Sequence, residues 1–392
     1  MRESIGTFIP EALPEMDPVM FYETTDYGWR GITQQGEVLE VKGANGHKVE
    51  VPSEVIITFC GNPIGRRPIT KEWEVDIDDY LHHFNRAVAL YKAGDLDGAL
   101  WEVNRSYEIA PTLRTKFNRA MILLASGRWN EGLAEYWECE QAKPFMRPQV
   151  EQALSYGLKP WAGQPYKRLL VLHAHGFGDT LMCLRYIPLL GKEVVMVMPP
   201  ELHSITEQFG RTVKDLTDAD YFCPILHLLY HLKITPEGSP TLSRPYIKHY
   251  PTHRAKGRLK RIGIAWSVGK PSTGDYPRTI DLGDLVAHLS SDPSVGELHS
   301  VQTQGAEEAA RYDVVTHEFE DFLDCASLMS EMDEVISVDT AALHLAGATG
   351  HPRVYGLLSH WHSWRWCVRW YDNVTLLRQP ATDDWAGALR LR

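Results

Sequence analysis

Three short stretches set chemistry-bearing residues at the ends of apolar runs. In VISVDTAALHLAGATG, Val335 to Gly350, an apolar strand pattern meets Asp339 and Thr340 and then a helix of small residues. A helix start offers unsatisfied backbone N–H groups and the positive end of a dipole, which suits a diphosphate. Asp339 is expected to cap Ala341 or Ala342, and Thr340 and His344, four apart, are expected to share a helix face. An ordinary cap on a buried helix has the same pattern. In the second stretch, LLVLHA leads into His175-Gly176-Phe177-Gly178-Asp179-Thr180 and the helix LMCLRYIPLL. Gly176 and Gly178 allow a tight turn and the close approach of a ligand. Asp179, at a helix start, is suited either to take a proton from an acceptor hydroxyl or to act only as an N-terminal charge. In the third, the strand RIGIAWSVGK precedes a loop at 271–279. The loop holds Arg278, with Lys270 at its start, where cations stabilise a departing diphosphate or are simply solvated. LHSVQ ends at Gln302, whose amide is suited to a base edge.

Other chemistries fit less well. A dinucleotide fingerprint needs a third glycine where Leu181 stands, and an acid after a second strand that here ends in Met-Pro-Pro. His82-His83 and the pair His360 and His362 lack partners at zinc-ligand spacing, so no metal site is expected. The six cysteines are spread along the chain with no C-x-x-C pair, which points to a reducing, cytoplasmic setting. The start, MRESIGTFIPEALPEM, has no signal-peptide core, and no run of 18 apolar residues is present to span a membrane. A net charge of -11 disfavours a general polyanion binder. One stretch, Arg244 to Arg261, opposes that average with seven Lys or Arg and no acid. It reads as a solvated linker or as a surface for a phosphate or acidic acceptor.

These stretches need elements to hold them. Hydrophobic content of 44% and charged content of 23% are those of a folded chain, and 392 residues suffice for two or three domains. Residues 1–78 are expected to form a small β module of unreadable role, with a hairpin turning at Asn45-Gly46. Residues 79–150 contain a repeat: FNRAVALYKAGDLDGAL from Phe84 returns as FNRAMILLASGRWNEGL from Phe117, an offset of 33. Gly94 matches Gly127, Leu100 matches Leu133, and Pro111 matches Pro144. This resembles tetratricopeptide repeats, whose period is about 34. Two such units are few for a stack, and Tyr91, Trp101 and Trp129 are expected to serve packing. From about 165, strands at Arg168–Ala174, Glu193–Met198, Arg261–Trp266, Leu298–Gln302, Glu334–Val338 and Arg353–Leu358 alternate with helical segments. That alternation specifies parallel α/β layers, and the pause at 235–260 divides them into halves at 165–255 and 256–392.

Taken together, GFGDTLMCLRY, IGIAWS, the SVQ strand, DFLDCASLMSEMDEVISVDTAALHLAGATGHP, the Trp-Arg-Trp at 364–366, WYDNVTLLRQ and the final DDW resemble bacterial tetratricopeptide-repeat glycosyltransferases. Those enzymes are related to the heptosyltransferases and more distantly to O-linked N-acetylglucosamine transferases. The resemblance covers about residues 80–385. It implies a type B glycosyltransferase fold of two Rossmann-like halves, acceptor side first and donor side second. It also implies an inverting transfer from a nucleotide sugar to a hydroxyl-type acceptor, with no metal and no other cofactor. Asp179 then resembles the general base, with His175 as a possible sharer of that role, and Gly176, Phe177 and Gly178 form the acceptor-side loop. Trp266, Lys270, Arg278 and Gln302 fall on the donor side. Asp339, Thr340 and Ala341 look like the diphosphate cradle, with His344 one turn in. His175 departs from the Glu or Gln usual in the repeat-containing members, and the 165–255 half is short for the fold.

The acceptor is open among protein, glycan, lipid and modified nucleic acid, and the repeats suggest a protein partner. Two rival readings remain. One is a non-catalytic scaffold in which the repeats bind extended peptides and the transferase fold is degenerate. The other is transfer to a nucleic-acid base by way of the 244–261 stretch, which predicts strong salt dependence.

Overall fold

A computed structural model describes strands in the first 73 residues and residues 74–142, 146–191, 193–238, 245–250, 259–268 and 278–392. The chain divides into two compact units, 1–126 with 134–144, and 127–133 with 145–392.

In the first unit, β1 (Val19–Thr25), β2 (Gly28–Thr33) and β3 (Val38–Lys42) form an antiparallel sheet in sequence order, and β4 (Glu54–Phe59) pairs antiparallel with β5 (Asn62–Pro68). Asn45 and Gly46 lie outside the described residues. Among those described, β3 pairs with β2 and β4 with β5. Helices α1 (Ile77–Ala93), α2 (Leu96–Ile109) and α3 (Leu113–Ala125) follow, then α4 (Trp129–Glu140), whose residues from 134 on belong to this unit. Each of the first three starts on a side-chain cap: Asp76 accepts from Asp79 N, Asp95 from Gly98 N and Thr112 from Thr115 N. Gly94 and Gly127 both have positive φ, 84° and 77°, so the repeat places glycine where the left-handed turn needs it. Within this unit Glu102 joins α1 to α2, receiving His83 Nδ1 at 2.5 Å and Arg86 Nε at 2.6 Å. Trp101 departs from the packing expected of it: it is 59% exposed, with its ring edge-on to His83.

The second unit contains two parallel five-stranded sheets. The first has the order β6 (Lys159–Pro160), β10 (Tyr221–Pro224), β7 (Leu169–Leu172), β8 (Val194–Val197), β9 (Arg211–Val213). Around it run α5 (Pro148–Ser155), α6 (Phe177–Cys183), α7 (His203–Thr206) and α8 (Leu228–His231). The second sheet has the order β12 (Val295–Ser300), β11 (Lys260–Ala265), β13 (Glu334–Val338), β14 (Val354–Leu358), β15 (Val374–Arg378). Its helices are α9 (Leu282–Ser290), α10 (Ala306–Ala310), α11 (Phe322–Met329), α12 (Ala341–Thr349) and α13 (Trp385–Leu389). These are two Rossmann-like halves, as the alternation specified. Strands β7 and β13 are buried along their whole length, the mark of a parallel sheet covered on both faces. Strands β6, β9, β10 and β15 were not among those expected; β6 and β9 are only two and three residues long.

Each sheet reverses its winding direction beside its central strand, between β7 and β10 and between β11 and β13. Ligands of such sheets lie outside the carboxyl ends of strands at that point. The halves are joined by Arg185, 4% exposed, which donates to the Trp370 carbonyl at 2.8 Å and to the Tyr246 hydroxyl at 3.1 Å. Tyr246 donates in turn to the Leu181 carbonyl at 2.8 Å, and its N–H bonds the Ala348 carbonyl at 3.0 Å. Part of the basic stretch is therefore a structural clasp. Ile247 is buried, Lys260 pairs with Glu334 and Asp292, and Arg261 pairs with Glu297. Residues 251–258 and Arg244 lie outside the described residues. No described helix is long and apolar enough to cross a membrane.

Candidate active site

A cavity of about 690 Å³ opens at the carboxyl ends of β7, β11, β12 and β13, a size suited to a small-molecule ligand. Gly176, Phe177, Gly178 and Asp179 line it from the first half. Arg278, Gln302, Asp339, Thr340, Ala341 and His344 line it from the second. The structure thus gathers most of the residues singled out from sequence. His175 and Trp266 are not among the lining residues, and Lys270 lies outside the described ones.

The β7–α6 junction presents a carboxylate. Asp179 Oδ2 accepts from Gly176 N–H at 3.3 Å, which closes the turn, and Oδ1 accepts from Arg365 Nε. Both partners of this ion pair are mostly buried, at 13% and 20% exposure. Burial opposes charge on Asp179. The Arg365 guanidinium outweighs it, with smaller help from His175 and His344, so the carboxyl is held below its ordinary value. His175 instead packs edge-on against His227, with ring centres 5.6 Å apart.

The β13–α12 junction presents backbone. Its N-cap falls on Thr340, not Asp339, in extended conformation and without a side-chain cap bond. Asp339 is drawn elsewhere: its Oδ1 accepts from the Trp366 indole at 2.6 Å, and its carbonyl accepts from Arg278 Nη1 at 3.1 Å. The first turn of α12 therefore reaches the cavity at Thr340, Ala341 and Ala342 with its dipole directed there. His344 is 3% exposed, bonds the Tyr371 hydroxyl through Nδ1 at 2.9 Å and stacks on Trp366 at 4.7 Å. Burial pushes its pKa down to about 4, so it is neutral at pH 7. A Cβ on Gly178 would lie 2.7 Å from His344 Cδ2, so α6 and α12 approach this closely only over glycine.

Two donor-side residues hold the frame. Gln302 accepts from the N–H groups of Trp266 and Ser267 at 2.9 and 3.1 Å and donates to Ser267 Oγ and the Gln304 carbonyl. Its amide braces the loops after β11 and β12 at the cavity wall. Trp266 is fully buried, with its indole N–H on Glu308 at 2.8 Å. Residues not singled out from sequence also line the cavity: Glu201, Phe322 and, above all, Arg365. Arg365 sat inside the noted Trp-Arg-Trp motif, yet nothing local tells which residue of that motif faces Asp179, 186 positions earlier.

No family model matches the chain. Protein FlbA of Caulobacter vibrioides is 26% identical over 176 residues, covering 43% of this chain and 27% of that protein. The chain thus spans about a quarter of the length of the curated relative it matches. Among solved structures, a family 9 glycosyl transferase from Veillonella parvula is 12% identical, with a TM-score of 0.34 over 54% of this chain and 86% of its own. The Escherichia coli heptosyltransferase WaaC with ADP is 11% identical, with a TM-score of 0.31 over 57% and 98%. An O-GlcNAc transferase mutant from Thermobaculum terrenum is 13% identical, with a TM-score of 0.29 over 80% and 83%. The fold itself is read from strand order and register: two parallel Rossmann-like halves around one cleft.

Proposed function

We propose that the chain is an inverting glycosyltransferase that takes its sugar from a nucleoside-diphosphate donor without a metal. One observation carries the reading. The first turn of α12, with Arg278 on the carbonyl of Asp339, shares a single cavity with the carboxylate of Asp179. The α12 amides and Arg278 receive the donor diphosphate. Asp179 takes the proton of an acceptor hydroxyl as its oxygen bonds to the anomeric carbon. The bond from that carbon to the phosphate oxygen breaks, and its electron pair leaves with the nucleotide. Arg278 and the helix dipole offset the charge that builds there. The helical repeats, read as tetratricopeptide-like, bring a macromolecular acceptor or partner to the enzyme, which works in the cytoplasm. Gln302 lines the cavity and braces its loops, with His175 and Trp266 behind them.

A thermal-shift panel of UDP, GDP, ADP, CDP, dTDP and NAD without added metal tests the donor reading. A nucleoside diphosphate at about 100 times its Kd stabilises by about 2.7 kcal/mol, a clear rise in melting temperature for that compound alone. Asp179→Asn then loses transfer by about 10²-fold or more while still binding the diphosphate. Collapse of nucleotide binding in that variant would make Asp179 a donor ligand or a structural residue.

The ion pair on Asp179 favours a second reading, a scaffold with a retired site, because the carboxylate is already engaged by Arg365. Silence across the whole panel selects that reading and moves attention to the repeats.

A further inference from the structure

The turn that carries Arg365 rests on the donor junction. Trp366 donates to Asp339 and stacks on His344, while Ser363 Oγ accepts from Arg365 N at 3.3 Å and from its Nη1 at 3.2 Å. Trp364 is 1% exposed and lies 4.9 Å beneath the guanidinium, and the Trp370 indole donates to the Arg365 carbonyl. The backbone of residue 365 is thus anchored to the donor half, while its side chain reaches the acceptor half at Asp179. Thr340, Ala341, Asp179 and Arg365 all line the same cavity.

The groups facing Asp179 are His173 and His175 from its own strand end, Cys183 one turn along α6, His344 from α12, and Arg365. Burial depresses His173 and His344, which stay neutral at pH 7. Among the described residues around Asp179, Arg365 is the permanent cation.

We propose that Arg365 is a positioning residue that couples donor to base: a diphosphate seated at α12 draws the guanidinium away from Asp179 and thereby frees the carboxylate to accept the acceptor proton. This rests on the donor reading above. A guanidinium is a fork of N–H donors matched to phosphate oxygens, and a diphosphate offers it more than one negative charge against the single charge of a carboxylate. The anchored backbone leaves the side-chain torsions as the moving part. Once the guanidinium leaves, the burial of Asp179 acts unopposed by it and favours the protonated form. The base becomes stronger when the donor is in place, which orders donor before acceptor.

The test is calorimetric titration of inorganic pyrophosphate into the full chain at pH 5, in two buffers of different ionisation heat. Wild type, Asp179→Asn, Arg365→Lys, Arg365→Gln, Glu201→Gln and Glu320→Gln are compared, Glu201 and Glu320 both lining the cavity. Competition for Arg365 predicts that Asp179→Asn binds several-fold more tightly than wild type, and more tightly than either Glu201→Gln or Glu320→Gln, which report the general effect of removing a cleft charge. It predicts about tenfold weaker binding in Arg365→Gln, with partial recovery in Arg365→Lys, and proton uptake by wild type in excess of that by Asp179→Asn. Equal tightening in all three acid variants with equal proton uptake would make Arg365 a fixed strut and overturn the coupling while sparing the donor site. Absence of pyrophosphate binding in wild type, together with silence in the nucleotide panel, would overturn the donor reading and the coupling with it. Should Asp179→Asn fail to fold, proton uptake still decides: the coupling predicts that wild type takes up more protons on binding pyrophosphate than Arg365→Gln, in which no guanidinium leaves Asp179, and equal uptake in the two would overturn it.

Discussion

The junctions β7–α6 and β13–α12 occupy equivalent places in their halves and present opposite chemistry. Each follows a strand buried along its length, and each begins a helix that lines the cleft. At the first, the helix start carries a charged side chain, Asp179, paired with an arginine from the other half. At the second, the nearest carboxylate, Asp339, is drawn away by the Trp366 indole, and the helix start meets the cavity as backbone. One topology thus yields a proton acceptor on one side and an anion cradle on the other. Which it yields is set by where one neighbouring side chain is tethered.

Acid should separate the junctions, and this is the largest effect expected. The folded pKa of His344 lies at about 4, below the ordinary 6.5, so the unfolded chain binds the extra proton between those values. Its contribution is constant above pH 6.5 and is lost as the pH falls from there to about 4, by at most about 3 kcal/mol. The carboxyl of Asp179 is also depressed, and its contribution is lost only below the ordinary 3.8. Urea melts from pH 7 to 4.5 should show a shallower pH slope in His344→Gln than in wild type. Parallel slopes would mean that His344 titrates normally and that water reaches the second junction.

Gly178→Ala strikes the contact between the junctions. The new methyl meets a His344 ring that cannot swing aside, being bonded to Tyr371 and stacked on Trp366. Overpacking of this kind costs about 1–3 kcal/mol, read from the denaturation midpoint. A neutral result would show that α6 and α12 separate freely and that the comparison concerns two independent helices.

The smallest effect belongs to Ala341→Pro. Proline is tolerated at the first helical position, and Thr340 before it already has φ -138° and ψ 175°, the extended conformation that proline requires of its predecessor. The substitution removes one amide N–H, so diphosphate affinity should fall by about 1 kcal/mol, roughly fivefold, at unchanged melting temperature. Unchanged affinity in titrations with a nucleoside diphosphate would place the phosphates away from α12.

Much of this was legible in order along the chain. The glycines of the repeat mark left-handed turns because few other residues adopt that backbone cheaply, and Gly94 and Gly127 stand there. Strands β7, β8, β11, β13 and β14 were readable because burial on both faces demands continuous apolar runs. Strand β9, three residues long and partly exposed, carries no such signal. The Asn45-Gly46 turn signal falls outside the described residues. Gln302 was read as a base contact because an amide after a strand suits that role, and Trp266 was placed on the donor side by the resemblance alone. In the structure Gln302 lines the cavity while its amide takes part in four hydrogen bonds, and Trp266 is buried with its indole on Glu308.

The sequence by itself determined the alternation of strand and helix, the repeat, and the residue types at each strand end, because these depend on local propensity and periodic burial. Only the tertiary structure decided that Arg365 faces Asp179, that Trp366 takes the carboxylate of Asp339, and that His344 lies against Gly178. Those pairings span up to 186 positions of chain. They are set by how two sheets pack their helices together, and short-range pattern holds no record of that.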